Sequence, residues 1–175
     1  DAMGIRSGTG SAAWVTYCNT NAIPASLWEI GNEPEGQSNS WAQTDWDSTK
    51  LRWYYTTFNR QARAMKAADP STVIMGPVAA NVYYWWQLHD LPLFLRFCDT
   101  TTDAVSLHWY PYGTAYPGWD NIKGLAQGWK SCMAYIRSVT QKPVYITEWS
   151  AHASNAGSLQ TVIALALSSA DIIGA

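Results

Sequence analysis

Apolar and polar positions change their period along the chain. Leu51, Tyr54, Tyr55, Phe58, Ala62 and Met65 recur at three- and four-residue spacing, which predicts a long helix capped by Asp47 or Ser48. Asp69-Pro70 ends it, because proline cannot continue a helix. Short, continuous apolar runs obey a different rule. Residues 72–76, 103–109 and 143–147 predict buried strands, and Ser26-Leu27-Trp28-Glu29-Ile30-Gly31 predicts a shorter one. Ala12–Tyr17 reads as the end of a helix. Further helices are predicted near Leu91–Cys98, over Asn121–Val139 with Asp120 as its cap, and over Ser158–Ile173.

Strands and helices therefore alternate, which means an α/β fold with a parallel sheet covered on both faces. A doubly wound open sheet and a (β/α)8 barrel compete. Three of the four strands run into polar or aromatic clusters: Gly31-Asn32-Glu33-Pro34, His108-Trp109-Tyr110-Pro111 and Thr147-Glu148-Trp149-Ser150. A barrel keeps its chemistry at such strand ends. No glycine-rich phosphate loop follows any strand, which disfavours a nucleotide fold. The expected fold is a partial (β/α)8 barrel of four βα units, one incomplete domain over residues 1–175.

Composition narrows the function. The net charge is −2 without a basic run, so no nucleic-acid partner is expected. No apolar stretch reaches the roughly 18 residues of a membrane span. Few charges and many aromatics exclude a disordered tail. The excess is in the rings: 11 Trp and 10 Tyr are more than a core of this size needs, and flat faces presented to a ligand would explain them. Cys18, Cys98 and Cys132 are odd in number and form no CxxC. They make neither a zinc site nor a disulfide framework and read as buried thiols, with one disulfide left open.

Glu33 and Glu148 stand at equivalent points, each just after a strand. Two carboxylates at one strand-end face suit cleavage of a glycosidic bond, where one assists the leaving oxygen and the other attacks or activates water. Asn32 is placed to contact a sugar hydroxyl. His108 and Tyr110 are candidates to orient a carboxylate, and Trp109, Trp149 and Trp119 to stack on sugar faces. Trp41, Trp46, Trp85 and Trp86 read mainly as loop packing, and Glu35 as a solvated charge. Glu29 alternates with Trp28 and Ile30, so one reading points it into the barrel as a supporting polar group. His89, Asp90 and His152 lack the spacing of a metal centre, and no metal or cofactor is expected.

The segment Trp28-Glu29-Ile30-Gly31-Asn32-Glu33-Pro34 resembles the strand-four motif of clan A retaining glycoside hydrolases. Val144-Tyr145-Ile146-Thr147-Glu148-Trp149 is similar to their strand-seven nucleophile motif, and Val105-Ser106-Leu107-His108-Trp109-Tyr110 to the strand-six segment that supplies a His and a Tyr. Asp69-Pro70, ahead of Val73-Ile74-Met75-Gly76-Pro77, also fits. The wording resembles the arabinofuranosidase, endoglucanase and xyloglucanase branches without selecting one. The resemblance implies Glu33 as acid/base, Glu148 as nucleophile, a sugar oligomer or polymer as substrate, and secretion, the signal lying outside this segment. It runs from strand four through helix seven, so strands one to three and strand eight are missing, and the chain alone is expected to be inactive or aggregated. The competing readings are a carbohydrate-binding barrel without catalysis, and an unrelated α/β protein whose two acids lie on different faces of the sheet.

Overall fold

The computed structural model describes residues 8–34, 48–79, 90–109 and 119–149. The elements are α1 (Gly8–Thr20), β1 (Leu27–Glu29), α2 (Ser48–Ala68), β2 (Val73–Ala79), α3 (Asp90–Cys98), β3 (Ala104–Trp109), α4 (Trp119–Val139) and β4 (Val144–Trp149). The alternation expected from the sequence is present. Helix α4 starts one residue ahead of its expected cap, Asp120. Strand β2 runs on to Ala79 and β4 to Trp149, past the expected ends. The helix expected over 158–173 lies outside the described residues. Among the described residues, no helix is long and apolar enough to cross a membrane.

All strand pairs are parallel, in the order β1-β2-β3-β4. The order contains no reversal of the kind that marks a doubly wound sheet. The strands curl into half of a barrel with the helices outside.

The helices bury one face against the convex side of the sheet. Tyr54, Tyr55, Phe58, Ala62 and Met65 of α2, the spacing that predicted the helix, all enter the core. Phe94, Leu95 and Cys98 of α3 and Trp129, Cys132 and Ile136 of α4 belong to the same core cluster. The strands contribute Ile30, Ile74, Val105, Leu107 and Trp109 to the same cluster. Alternation sends their neighbours to the concave side: Leu27, Glu29, Met75, Ser106, His108 and Tyr145. Leu27 and Tyr145 are exposed there.

Two polar anchors hold the strand starts. The Asp103 carboxylate accepts the Ile74 amide at 2.8 Å and pairs with Lys66 at 2.7 Å. Lys142 donates to the Asp99 and Thr102 carbonyls at 3.1 and 2.9 Å. Both fix loops at the end of the sheet opposite the strand-end clusters, where a barrel invests in stability.

The three cysteines are free and buried. Burial pushes the thiols of Cys98 and Cys132 up to about 12.

Candidate active site

The strands lose their regularity where the polar clusters begin. After β1, Gly31 takes φ 109° and Glu33 φ 44°. Positive φ at Glu33 is uncommon for a residue with a side chain. The conformation is held by its own amide, which donates to the Val78 carbonyl at 3.0 Å. Val78 is itself at φ 58° and sits in a bulge of β2, since Pro77 pairs with Ser106 and Ala79 with Leu107.

A second irregularity acts on β4. Leu107 pairs with Ile146, but His108 pairs with Glu148, which leaves Thr147 as the extra residue. Unbroken alternation would have sent Glu148 to the helix side with Ile146. The bulge turns it back beside His108, on the concave side.

Three side chains from three strands consequently converge. Nδ1 of His108 lies 2.9 Å from Oε1 of Glu33 and 3.5 Å from Oε2 of Glu148. The imidazole is fully buried, whereas the Glu33 and Glu148 side chains remain 33% and 44% exposed. A buried base between two accessible carboxylates orients both without blocking either. One atom from each residue falls within 4.8 Å of the others. Such a nitrogen and two oxygens are spaced as a cation's three ligands could be, and the 2.9 Å contact is equally the length of a hydrogen bond between Nδ1 and Oε1.

The remaining candidates are distributed differently. Asn32 is half-buried next to Glu33. Trp149 is 41% exposed next to Glu148, but it pairs with Trp109 across β3 and β4, and strand period turns it to the same side of the sheet as Trp109, away from the two acids. Trp109 must be corrected: it is 1% exposed and packs edge-on against Trp129, ring centroids 5.0 Å apart. The reason is strand period, because His108 faces inward and its successor must face the helices. Trp109 is a core residue and no sugar platform. The backbone of Trp119 opens α4, but its ring lies outside the described residues, as do Tyr110, Glu35, Trp41, Trp46, Trp85, Trp86, His89 and His152. The arrangement with the two acids on different faces of the sheet is overturned by their shared contact with His108.

Thr147 was not singled out by sequence reasoning. Its Oγ1 donates to Oε1 of Glu29 at 2.7 Å, which places Glu29 on the concave side as one reading of the alternation had it. The available signal was the consecutive Thr147-Glu148 pair, two polar residues where alternation allows one inward position. Ser106, two residues before His108, is also fully buried on that side.

Comparisons with known proteins bear on the family and the fold. No curated protein is similar to the chain at a significant level. Solved structures are. A family 39 β-xylosidase from Caulobacter crescentus superposes with a TM-score of 0.59 at 22% identity, over 84% of this chain and 30% of its own. A family 44 endoglucanase from Clostridium thermocellum gives 0.61 at 16% identity, over 93% and 43%. A family 44 xyloglucanase from Paenibacillus polymyxa gives 0.57 at 13% identity, over 87% and 42%. The chain thus spans less than half of each of these three enzymes, and at these identities the likeness shows the fold. The sequence profile of glycosyl hydrolases family 39 matches residues 15–173, nearly the whole chain. The chain belongs to glycosyl hydrolases family 39.

Proposed function

We propose that the chain carries the catalytic pair of a retaining glycoside hydrolase, with Glu33 as acid/base and Glu148 as nucleophile. The observation that carries this reading is the convergence of both carboxylates on His108, with one oxygen of each within 4.8 Å. Retaining enzymes hold their two carboxyl groups about 5–5.5 Å apart, and inverting ones about 6.5–9.5 Å to admit a water.

In this reading Nδ1–H of His108 donates to Oε1 of Glu33, which leaves the other Glu33 oxygen to carry the acid proton. Glu148 is ionised and attacks the anomeric carbon. Glu33 protonates the departing glycosidic oxygen, and a glycosyl ester forms on Glu148. Glu33 then takes a proton from water, which opens the ester and releases the sugar with its configuration retained. Asn32 lies next to the acid, where a hydrogen bond to a sugar hydroxyl strengthens toward the transition state.

The β-xylosidase, endoglucanase and xyloglucanase named among the similar structures make β-linked xylosides and glucans the first substrates to try. A polysaccharide substrate is met outside the cell, and secretion of the full natural protein is part of the same proposal. The test uses that full protein with 4-nitrophenyl β-xyloside, 4-nitrophenyl β-glucoside and xyloglucan. Glu148→Gly should abolish turnover, and azide should restore part of it with inverted product. Glu33→Gln should slow poor leaving groups far more than 2,4-dinitrophenolate. Absence of both patterns would overturn the roles of Glu33 and Glu148, and binding without turnover in the unaltered protein would leave a carbohydrate-binding barrel in its place.

A further inference from the structure

The two carboxylates ride on strands that are not neighbours. Glu33 follows β1 and Glu148 lies in β4, at opposite ends of the strand order. Among the described residues, backbone pairing links them through β2 and β3. One hydrogen bond joins the two strands directly. Thr147 Oγ1 donates to Glu29 Oε1 at 2.7 Å, across 118 residues of sequence. Its donor is the bulged residue that brings Glu148 level with His108. Its acceptor lies in β1, four positions before Glu33.

The geometry points to Glu29 and Thr147 as positioning residues that tie β1 to β4 and set the spacing of the Glu33–Glu148 pair. Neither touches the reacting atoms. Thr147 has one side chain and one conformational task. A bulged residue is unpaired in the ladder, so its orientation is set by whatever its side chain can hold. A carboxylate acceptor makes a shorter and stronger bond than a neutral one. If Thr147 turns away, the adjacent Glu148 loses its register with His108. This inference rests on the glycosidase reading for its kinetic consequences, but its structural content does not depend on it.

The test uses the full natural protein and the 4-nitrophenyl glycoside it cleaves. Thr147→Val keeps the β-branched shape and deletes the hydroxyl, whereas Thr147→Ser keeps the hydroxyl. Glu29→Met keeps an unbranched chain and deletes the acceptor. Misplacement of a reacting group by about 1 Å costs about 100-fold, so Thr147→Val should lower kcat about 10- to 100-fold. KM should stay within about twofold, and Thr147→Ser should recover most of the rate. Glu29→Met should repeat the Thr147→Val loss, and the double variant should be no slower than the slower single one. A Thr147→Val enzyme with unchanged kcat, equal loss in Val and Ser variants, or additive losses in the double variant overturns the assignment.

A second readout needs no activity. In the full natural protein the ring ¹⁵N signals of His108 are assigned as those lost in a His108→Gln variant. They should move in Thr147→Val and Glu29→Met and stay in place in Thr147→Ser. Should the unaltered protein cleave no glycoside, the function above fails, and these signals alone decide the tie: movement sustains it and its absence overturns it. Should Thr147→Val not fold, Glu29→Met is read the same way.

Discussion

Replacing Gly76 by alanine tests how tightly the core supports the site. A Cβ there would lie 2.5 Å from Cε2 of Phe58 and 3.0 Å from Cζ of Phe94. Carbons in ordinary contact sit about 3.5–4.0 Å apart, so the Phe58 ring must retreat by about 1 Å. It has nowhere to go. Phe58 is fully buried, edge-on to Phe94 at 5.0 Å and tilted against Tyr54 at 6.0 Å. Overpacking of this kind costs about 1–3 kcal/mol, and two clashing rings place Gly76→Ala in the upper part of that range. The damage reaches the site, because β2 carbonyls on either side of Gly76 hold the end of β1. Met75 accepts the Ile30 amide at 3.3 Å and Val78 accepts the Glu33 amide at 3.0 Å. Urea unfolding of the full natural protein measures the loss. With a slope of about 1–3 kcal/mol/M, a 2 kcal/mol change moves the midpoint by about 1 M. Phe58→Leu makes room for the methyl, so the double variant should lose less than the sum of the single losses. An unchanged midpoint in Gly76→Ala, or strict additivity with Phe58→Leu, would refute the packing argument.

Other substitutions probe the remaining supports. Ala22 closes α1 at φ 53°, with the Ile23 amide donating to Cys18 and the Ala22 amide to Asn19, a Schellman cap that prefers glycine; Ala22→Gly should raise stability by about 0.5–1 kcal/mol in urea unfolding. The Asp69 carboxyl is held below its ordinary value of 3.8 by hydrogen bonds, first from the Ser71 side chain and then from Asn19 and the Ser71 amide. A lowered folded value means stability that is present above the ordinary value and lost as pH falls through it toward the folded one; the stability difference between the protein and its Asp69→Asn variant should fade over that acid window and stay level above it. Thiols pushed up to about 12 are protonated at pH 8, so iodoacetamide should label Cys98 and Cys132 only after urea unfolds the protein, as mass spectrometry can follow.

The sequence showed most of the frame and only part of the site, for one physical reason. Helix α2 was readable because its buried face, Tyr54 to Met65, repeats with the helical period. The strands were readable because a sheet covered on one side and curled on the other keeps long apolar runs. Glu33 and Glu148 were readable as strand-end acids. Strand alternation then separates the successes from the failures. It assigns Trp109 to the core once His108 is inward, and treating the two neighbours as one cluster obscured this. It fails for Glu148, where the bulge at Thr147 adds a residue that a pattern of period two cannot contain. Nor does local sequence reveal that Val78, a β-branched residue, adopts φ 58°, since that state is imposed by contacts from β1.

These irregularities are where the scaffold is made to deliver two acids to one place. A regular strand offers side chains to fixed faces at fixed intervals, and strands three apart in order offer them along a curve. Bringing Glu33 and Glu148 to one imidazole requires a twist after β1 and an extra residue in β4. The twist puts Glu33 and Val78 both at positive φ, joined by the Glu33 amide and the Val78 carbonyl. Residues in such regions cost about 1–3 kcal/mol each and persist only where their surroundings over-determine them. The surroundings here are specific. Tyr54 places its hydroxyl 2.9 Å from the Pro77 carbonyl and 3.1 Å from the Ile30 carbonyl, under both strained segments at once. Tyr54 in turn is packed by Tyr55, Phe58 and Phe94. The aromatic core thus does more than exclude water: it is the support against which the backbone at the site is held out of its preferred conformations, and a looser core would release the carboxylates before it released the fold.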